Sequence, residues 1–251
     1  MIDIKGKHIL YTGGAGGLGL ETTMHFLNSG AHVTVVDRDQ CKMMKLADAA
    51  RGLPAGALAI HDFDLGDLAG LKSLLDAEQD RTGGFDVVIN NAAIYPSKPF
   101  ENYTIEEHQQ VQRINVDAAI VCVQSALPHM RKKGWGRIIN IASITVYGGW
   151  SFLSPYIQSK GALIGLVRAW AREFGQYGIT VNAVSPGAFP TDAEKIHNDP
   201  DGYARYVLEH QAVKRRGTPS DIANALMFIA SDAAGFISGQ TLNVDGGWVM
   251  H

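Results

Sequence analysis

A single α/β domain, built on a doubly wound parallel sheet of seven strands with helices on both faces, is the fold class that three features of this sequence predict. Short β-rich apolar runs alternate with longer helical patterns along the chain, as a parallel sheet covered by crossover helices requires. The 251 residues, 46% hydrophobic and 19% charged, suffice for one large core. No low-complexity linker, charge block or internal repeat divides them.

The first strand is predicted at His8 to Thr12 and the first helix at Leu18 to Ser29, joined by Gly13-Gly14-Ala15-Gly16-Gly17. Glycines at 13, 17 and 19 let the chain turn sharply, let a pyrophosphate approach the backbone and let the helix pack closely on the sheet. The helix amino terminus, opened by Leu18, then faces the phosphates. The second strand, His32 to Asp37, ends 18 residues past Gly19, where a dinucleotide fold meets the adenosine ribose. A carboxylate there accepts hydrogen bonds from the ribose hydroxyls and repels a 2′-phosphate, which favours NAD over NADP. Arg38 leaves alternatives open: it can bind a phosphate if Asp37 swings away, stack on adenine or lie in solvent.

A helix over Gln40 to Arg51, a strand over Ala57 to His61, a helix over Leu68 to Arg81 and a strand over Val87 to Asn90 continue the alternation. The long helical stretch Ile105 to Lys132 contains Pro128, which predicts a kink or a turn. A strand over Arg137 to Ala142, a helix over Tyr156 to Tyr177 and a strand over Thr180 to Val184 follow. Phe189 to Gly217 then breaks the pattern, mixing Pro190, Pro200, Gly202, two tyrosines and several charges; an insertion of that length beyond the strand ends reads as a lid or substrate loop. A helix over Ser220 to Ser231 and a strand over Thr241 to Val244 complete the domain.

Tyr156 and Lys160 stand four residues apart, so a helix puts both side chains on one face, an ammonium beside a phenol. A phenol with a pKa of about 10 is a poor base near neutral pH, and an adjacent positive charge brings it down. The pair reads as a proton-transfer device, although the same spacing occurs on ordinary solvated helix faces.

In order and spacing, Thr12-Gly13-x-x-x-Gly17-x-Gly19, Asn90-Asn91-Ala92-Ala93, Asn115, Ser143, Tyr156-x-x-x-Lys160, Pro186-Gly187 and Asn243-Val244-Asp245-Gly246-Gly247 resemble the short-chain dehydrogenase/reductase family over essentially the whole chain. The resemblance implies one Rossmann-type domain over 1–251, with a nucleotide-binding half at about 1–95, a catalytic and substrate half at about 96–251 and a substrate loop at about 188–217. It also implies a nicotinamide cofactor and hydride transfer between an alcohol and a carbonyl compound. On that resemblance Tyr156 is the general acid/base and Ser143 the hydroxyl that orients the substrate oxygen. Lys160 lowers the tyrosine pKa and holds the nicotinamide ribose, and Asn115 anchors a water in the relay behind it. Asn90 ties neighbouring strands together, Asn91 and Leu65 border the cofactor, Asp64 meets the adenine, and Pro186, Gly187 and Thr191 close over the nicotinamide. A turn followed by a helix cap fits that last segment equally.

Two departures from the family pattern stand out. Ala93 replaces the usual glycine, tolerable if its φ is below zero. The Ser143 to Tyr156 interval is unusually aromatic. Tyr95, Trp150, Phe152, Phe189, Tyr203 and Tyr206 are expected in or beside loops that border the substrate, which suggests a small apolar or aromatic secondary alcohol or ketone. They can equally pack the loops' own core. Ile94-Tyr95-Pro96, Gly134-Trp135-Gly136-Arg137 and the ending Gly246 to His251 resemble the phenylethanol and pyridoxal dehydrogenase subgroup. Sugar or polyol dehydrogenases and 3-oxoacyl reductases share the scaffold. A non-catalytic dinucleotide sensor would need the glycine turn and Asp37 but not the acid/base set.

The resemblance further implies a homotetramer built through the stretches Ile105 to Lys132 and Tyr156 to Tyr177 and the last strand. The apolar tail Trp248-Val249-Met250 is expected to be buried near a subunit interface, with His251 held. With 22 Lys plus Arg against 25 Asp plus Glu, a net charge of -3 and no basic stretch, nucleic acid is not an expected partner. Cys41 and Cys122 lack metal or redox spacing, and the nine histidines are scattered singly, so no metal is expected. The amino terminus lacks the apolar region of a signal peptide and no apolar run reaches membrane-spanning length; a cytoplasmic protein without a membrane partner is expected.

Overall fold

The computed structural model describes residues 2–192, 194 and 199–250. Its seven strands form one parallel sheet in the order β3-β2-β1-β4-β5-β6-β7. They are β1 (His8–Thr12), β2 (His32–Asp37), β3 (Leu58–Asp62), β4 (Val87–Asn90), β5 (Gly136–Ile141), β6 (Ile179–Pro186) and β7 (Thr241–Val244). Every residue of β1, β4, β5 and β6 is buried, as a sheet covered on both faces demands. Successive side chains alternate between two cores. Ile9, Tyr11 and Val35 pack with α1 (Leu18–Asn28) and α9 (Pro219–Ala230) on one face, with Leu46 of α2 (Gln40–Ala49). On the other face Leu10 and Val88 pack with α3 (Leu68–Thr82), α5 (Ala118–Lys133) and α7 (Ser154–Phe174). Sheet order reverses between β1 and β4, and a crevice opens there beyond the carboxyl ends of the strands, where such folds bind ligands.

Two elements differ from expectation. The stretch from Ile105 resolves into α4 (Ile105–Gln112), one π-type turn (Arg113–Asp117) and α5, with Pro128 inside α5. Pro128 is tolerated because Gln124, whose carbonyl loses its partner, is exposed to water. The segment expected as a loop from Phe189 to Gly217 contains α8 (Pro200–His210). Pro200 occupies the first turn, where its missing N–H costs nothing, and Asp199 caps the helix by accepting from Gly202 N at 2.8 Å. Ala193 and Lys195 to Asn198 of the expected substrate loop lie outside the described residues, as does His251. No described helix is long and apolar enough to cross a membrane.

Candidate active site

A cleft of about 730 Å³ runs from the glycine loop to the amino end of α7. Gly13 (φ 67°) opens it. A Cβ there would come within 2.8 Å of Asn91 Nδ2 and 2.9 Å of Ala92 Cα. Asn91 in turn donates to the carbonyls of Thr12 (3.1 Å) and Gly13 (2.9 Å), which fixes the turn. Gly17 and Leu18 border the cleft at the start of α1. Gly19 stands behind the loop instead: a Cβ would sit 2.3 Å from the carbonyl oxygen of Gly13, so only glycine lets α1 begin this close beneath the turn. Helix start and backbone cradle together suit a pyrophosphate.

Asp37 is held in one orientation. Its Oδ1 accepts from the backbone N–H of Arg38 (2.8 Å) and Asp39 (3.2 Å), and its Oδ2 accepts from Ala15 N (3.2 Å). A carboxylate so tethered cannot swing aside for a 2′-phosphate without losing three hydrogen bonds. Arg38 Nη1 lies 3.7 Å from Asp64 Oδ2, both side chains mostly exposed at the cleft mouth beside Leu65. Sequence reasoning missed Lys42, whose chain lies over Gly16 and whose ammonium is 3.0 Å from Asp192 Oδ2 and 3.4 Å from Asp39 Oδ2. The available signal was its place in the first turn of the helix that follows β2.

The chemical end is built by pinning α7 to the sheet. Asn90 Nδ2 donates to Asn140 Oδ1 (2.9 Å), tying β4 to β5, and Asn140 Nδ2 donates to the Leu163 carbonyl (3.3 Å). Gln112 Nε2 reaches the Pro155 carbonyl (3.0 Å), and Lys160 Nζ reaches that of Ile141 (2.7 Å). Asn115, on the π-type turn and 2% exposed, exchanges hydrogen bonds with the backbone N–H and carbonyl of Ile94 at 2.9 Å each and donates to Ser159 Oγ at 3.0 Å. Its side chain therefore clasps the loop after β4 to α7, away from the cleft.

Ser143 and Tyr156 both line this cleft, and the Lys160 ammonium lies 5.6 Å from the centre of the Tyr156 ring. Tyr156 presents part of its ring to the cleft, yet the protein crowding it pushes the phenol up to about 12 by desolvation, with Ser143 pulling in the opposite direction. Burial likewise draws the Lys160 ammonium down to about 7. Desolvation is thus the dominant influence on the phenol in this arrangement.

Pro186, Gly187 and Thr191 border the cleft after β6. A Cβ on Gly187 would come within 2.7 Å of that of Asp245, whose carboxylate folds the tail back by accepting from Gly247 N (2.9 Å) and Val249 N (2.8 Å). Trp248 consequently packs on its own chain, 5.5 Å from Trp150, 5.8 Å from Tyr206 and 5.6 Å from His210, ring centre to ring centre, and leaves Met250 exposed. Tyr95, edge-on to Tyr156 at 6.1 Å, lines the cleft with Trp150, Phe152 and Tyr203. Phe189, only 6% exposed, belongs mainly to the core, and Tyr206 stands behind Trp248. Phe152 is the one non-glycine with positive φ (67°) among the described residues, so Ala93 has the negative φ its methyl needs. The strained carbonyl of Phe152 is held by Lys98 N (3.1 Å) and the Tyr103 hydroxyl (2.8 Å), which keeps its ring 56% exposed. Among the described residues, no group of three or more His, Cys, Asp or Glu is arranged to hold a metal.

Residues 13–249 match the family described as enoyl-(acyl carrier protein) reductase. The chain is 34% identical over 248 residues to a (2S)-[(R)-hydroxy(phenyl)methyl]succinyl-CoA dehydrogenase subunit of Thauera aromatica, covering 97% of both chains. A solved structure of a short chain dehydrogenase/reductase family protein aligns with a TM-score of 0.85 at 32% identity over 98% of each chain. A gluconate 5-dehydrogenase of Burkholderia cenocepacia, in complex with NADP and tartrate, aligns with a TM-score of 0.90 at 29% identity, covering 98% of this chain and 96% of that one.

Proposed function

The chain belongs to the short-chain dehydrogenase/reductase family of oxidoreductases, and we propose that it interconverts a secondary alcohol and its carbonyl compound with NAD, Tyr156 serving as the acid/base. The observation that carries this reading is the convergence of Ser143, Tyr156 and Lys160 on one cleft whose other end holds the glycine turn and Asp37. Bound nicotinamide supplies the hydride acceptor or donor. In the oxidative direction Tyr156, as phenolate, takes the alcohol proton while Ser143 donates a hydrogen bond to the same oxygen. Lys160 holds the nicotinamide ribose and sets positive charge beside the phenol. Asn115 acts one layer back, keeping α7 and the loop after β4 in register.

The three-point tethering of Asp37 supports NAD, and so does the pairing of Arg38 with Asp64 at the mouth, which engages the guanidinium that could otherwise meet a 2′-phosphate. Tyr95, Trp150, Phe152 and Trp248 around the cleft support an apolar or aromatic alcohol, and the phenyl-bearing substrate in the name of the Thauera relative agrees with it. The reading includes a homotetramer in the cytoplasm. The open edge of β7, with Leu242 40% exposed, and the fully exposed Phe236 support the self-association.

The test is a panel of alcohols and ketones, with NAD and NADP in parallel, followed by nicotinamide absorbance. 1-Phenylethanol and acetophenone represent the aromatic class, gluconate the polyol class and a 3-oxoacyl thioester the reductase class. Turnover confined to the last two would replace the substrate class; no turnover in any arm would leave a dinucleotide-binding protein without the chemistry.

A further inference from the structure

Thr145 stands two residues after Ser143, at the start of the single-turn helix α6 (Thr145–Gly148), half-buried in the cleft wall. Its backbone N–H donates to Ser143 Oγ at 3.2 Å, and its hydroxyl donates to the same oxygen at 2.9 Å. A serine hydroxyl carries one proton and two lone pairs. Thr145 engages both lone pairs, so Ser143 is left with its O–H alone to offer to the cleft it lines together with Tyr156. We propose that Thr145 is a positioning residue of the catalytic site, its hydroxyl making Ser143 an obligate hydrogen-bond donor toward Tyr156 and the reacting oxygen.

The inference rests on the reading of Tyr156 as acid/base and adds the element that orients its partner. Hydrogen bonds in series polarise one another, so donation from Thr145 to Ser143 strengthens donation from Ser143 onward. A donor aimed at the phenolate favours the charged form. The other titratable groups facing Tyr156 are Tyr95, from the segment after β4, and Lys160, on its own helix. Neither has a hydrogen bond to Thr145 among those described. The alternative role, a local turn closed by the Thr145 backbone N–H on Ser143, needs no threonine hydroxyl and survives its removal.

Thr145→Val removes the hydroxyl at nearly constant shape, and Thr145→Ser keeps it. With racemic 1-phenylethanol and NAD as probes, kcat/KM is measured against pH for the wild type, both variants and Tyr156→Phe. Thr145→Val is expected to lose about tenfold in kcat and to move the rising alkaline limb, which reports the phenol, to higher pH by about half a unit. The Kd for NAD and the thermal midpoint should stay put, and Thr145→Ser should return the limb to its wild-type position. A limb that does not move, or variants equally impaired, overturns the inference. A limb displaced to lower pH also overturns it, since Ser143 would then have been donating to Thr145. Persistent turnover by Tyr156→Phe, or no turnover by the wild type in any arm of the substrate panel, removes the acid/base reading and this inference with it, whereas an inactive Tyr156→Phe beside an unshifted Thr145→Val removes the inference alone.

Discussion

Lys160 donates to the carbonyl of Ile141 at 2.7 Å while its ammonium lies 5.6 Å from the centre of the Tyr156 ring, so one side chain joins α7 to β5 and places a cation next to the phenol. Burial draws that ammonium down to about 7 and pushes the phenol up to about 12, in each case by disfavouring the charged form.

Tyr156→Phe keeps the ring and removes the exchangeable proton. Turnover should fall by at least about 100-fold, the lower end of what positioned acid/base groups contribute, while NAD binding survives. Lys160→Ala should damage both, because it removes the proposed ribose contact and the observed tie to Ile141 together. Steady-state kinetics alongside fluorescence titration of NADH separate the two outcomes; a Phe variant retaining a tenth of the rate would mean that another group moves the proton.

For Asp37, the prediction concerns discrimination between cofactors. If Asp37 has the proposed role, Asp37→Ala removes both the repulsion of a 2′-phosphate and the acceptor for the ribose hydroxyls, so NAD should weaken and NADP strengthen, narrowing the gap by about tenfold or more. Calorimetric titration of both cofactors against wild type and variant checks it. Wild-type binding of NADP as tight as NAD would show that Arg38, released from Asp64, governs the site.

Much of the architecture was legible because strand runs and the glycine turn are local signals: β1, β2, β4 and β7 occupy their expected spans, and Gly13, Asp37 and Tyr156 border one cleft. What was not legible depends on contacts between distant segments. The amide of Asn115 bonds Ile94 and Ser159, 21 and 44 residues away, so its position behind the cleft could not be read from its neighbours. The rise of the Tyr156 pKa comes from desolvation, which exists only once the fold closes around it. Helix α8 was missed for another reason. Pro200 and Gly202 are helix breakers within a helix, but beside the Asp199 cap they mark its first turn.

At the opposite end of the sheet, His8 carries a pH-dependent share of stability. The Gly84 carbonyl, 3.1 Å from Nδ1, can only accept, so the ring holds its proton on Nδ1 and takes the Thr34 hydroxyl at Nε2 (2.9 Å). Burial lowers this histidine to about 4. The unfolded chain, titrating near 6.5, therefore binds the proton first as pH falls. Stability is intact above about 6.5 and is lost progressively toward 4, by up to about 3 kcal/mol for this group. Denaturant midpoints across that window should fall less steeply for His8→Gln than for the wild type. Parallel curves would mean that His8 protonates without penalty.

Trp248 closes the substrate end from within the same chain, and its removal tests what the tail does. Its ring meets Trp150 on the catalytic loop and Tyr206 and His210 on α8, so it joins the two segments that flank the cleft. Aromatic pairs of this kind contribute about 0.5–1.5 kcal/mol each beyond their buried area. Trp248→Ala should therefore raise KM for an aromatic alcohol about tenfold, through loosening of α8, with a smaller change in kcat because Ser143, Tyr156 and Lys160 are held by β5 and α7 rather than by the tail. Ending the chain at Gly247 should do the same and also remove the exposed Met250. Light scattering on the three proteins decides whether the tail serves assembly as well. A monomeric wild type would rule out the tetramer, a truncated chain that dissociates would put the tail at an interface, and an intact tetramer with raised KM would confine Trp248 to its own cleft. Unchanged KM in both variants would mean that α8 keeps its place without the tail.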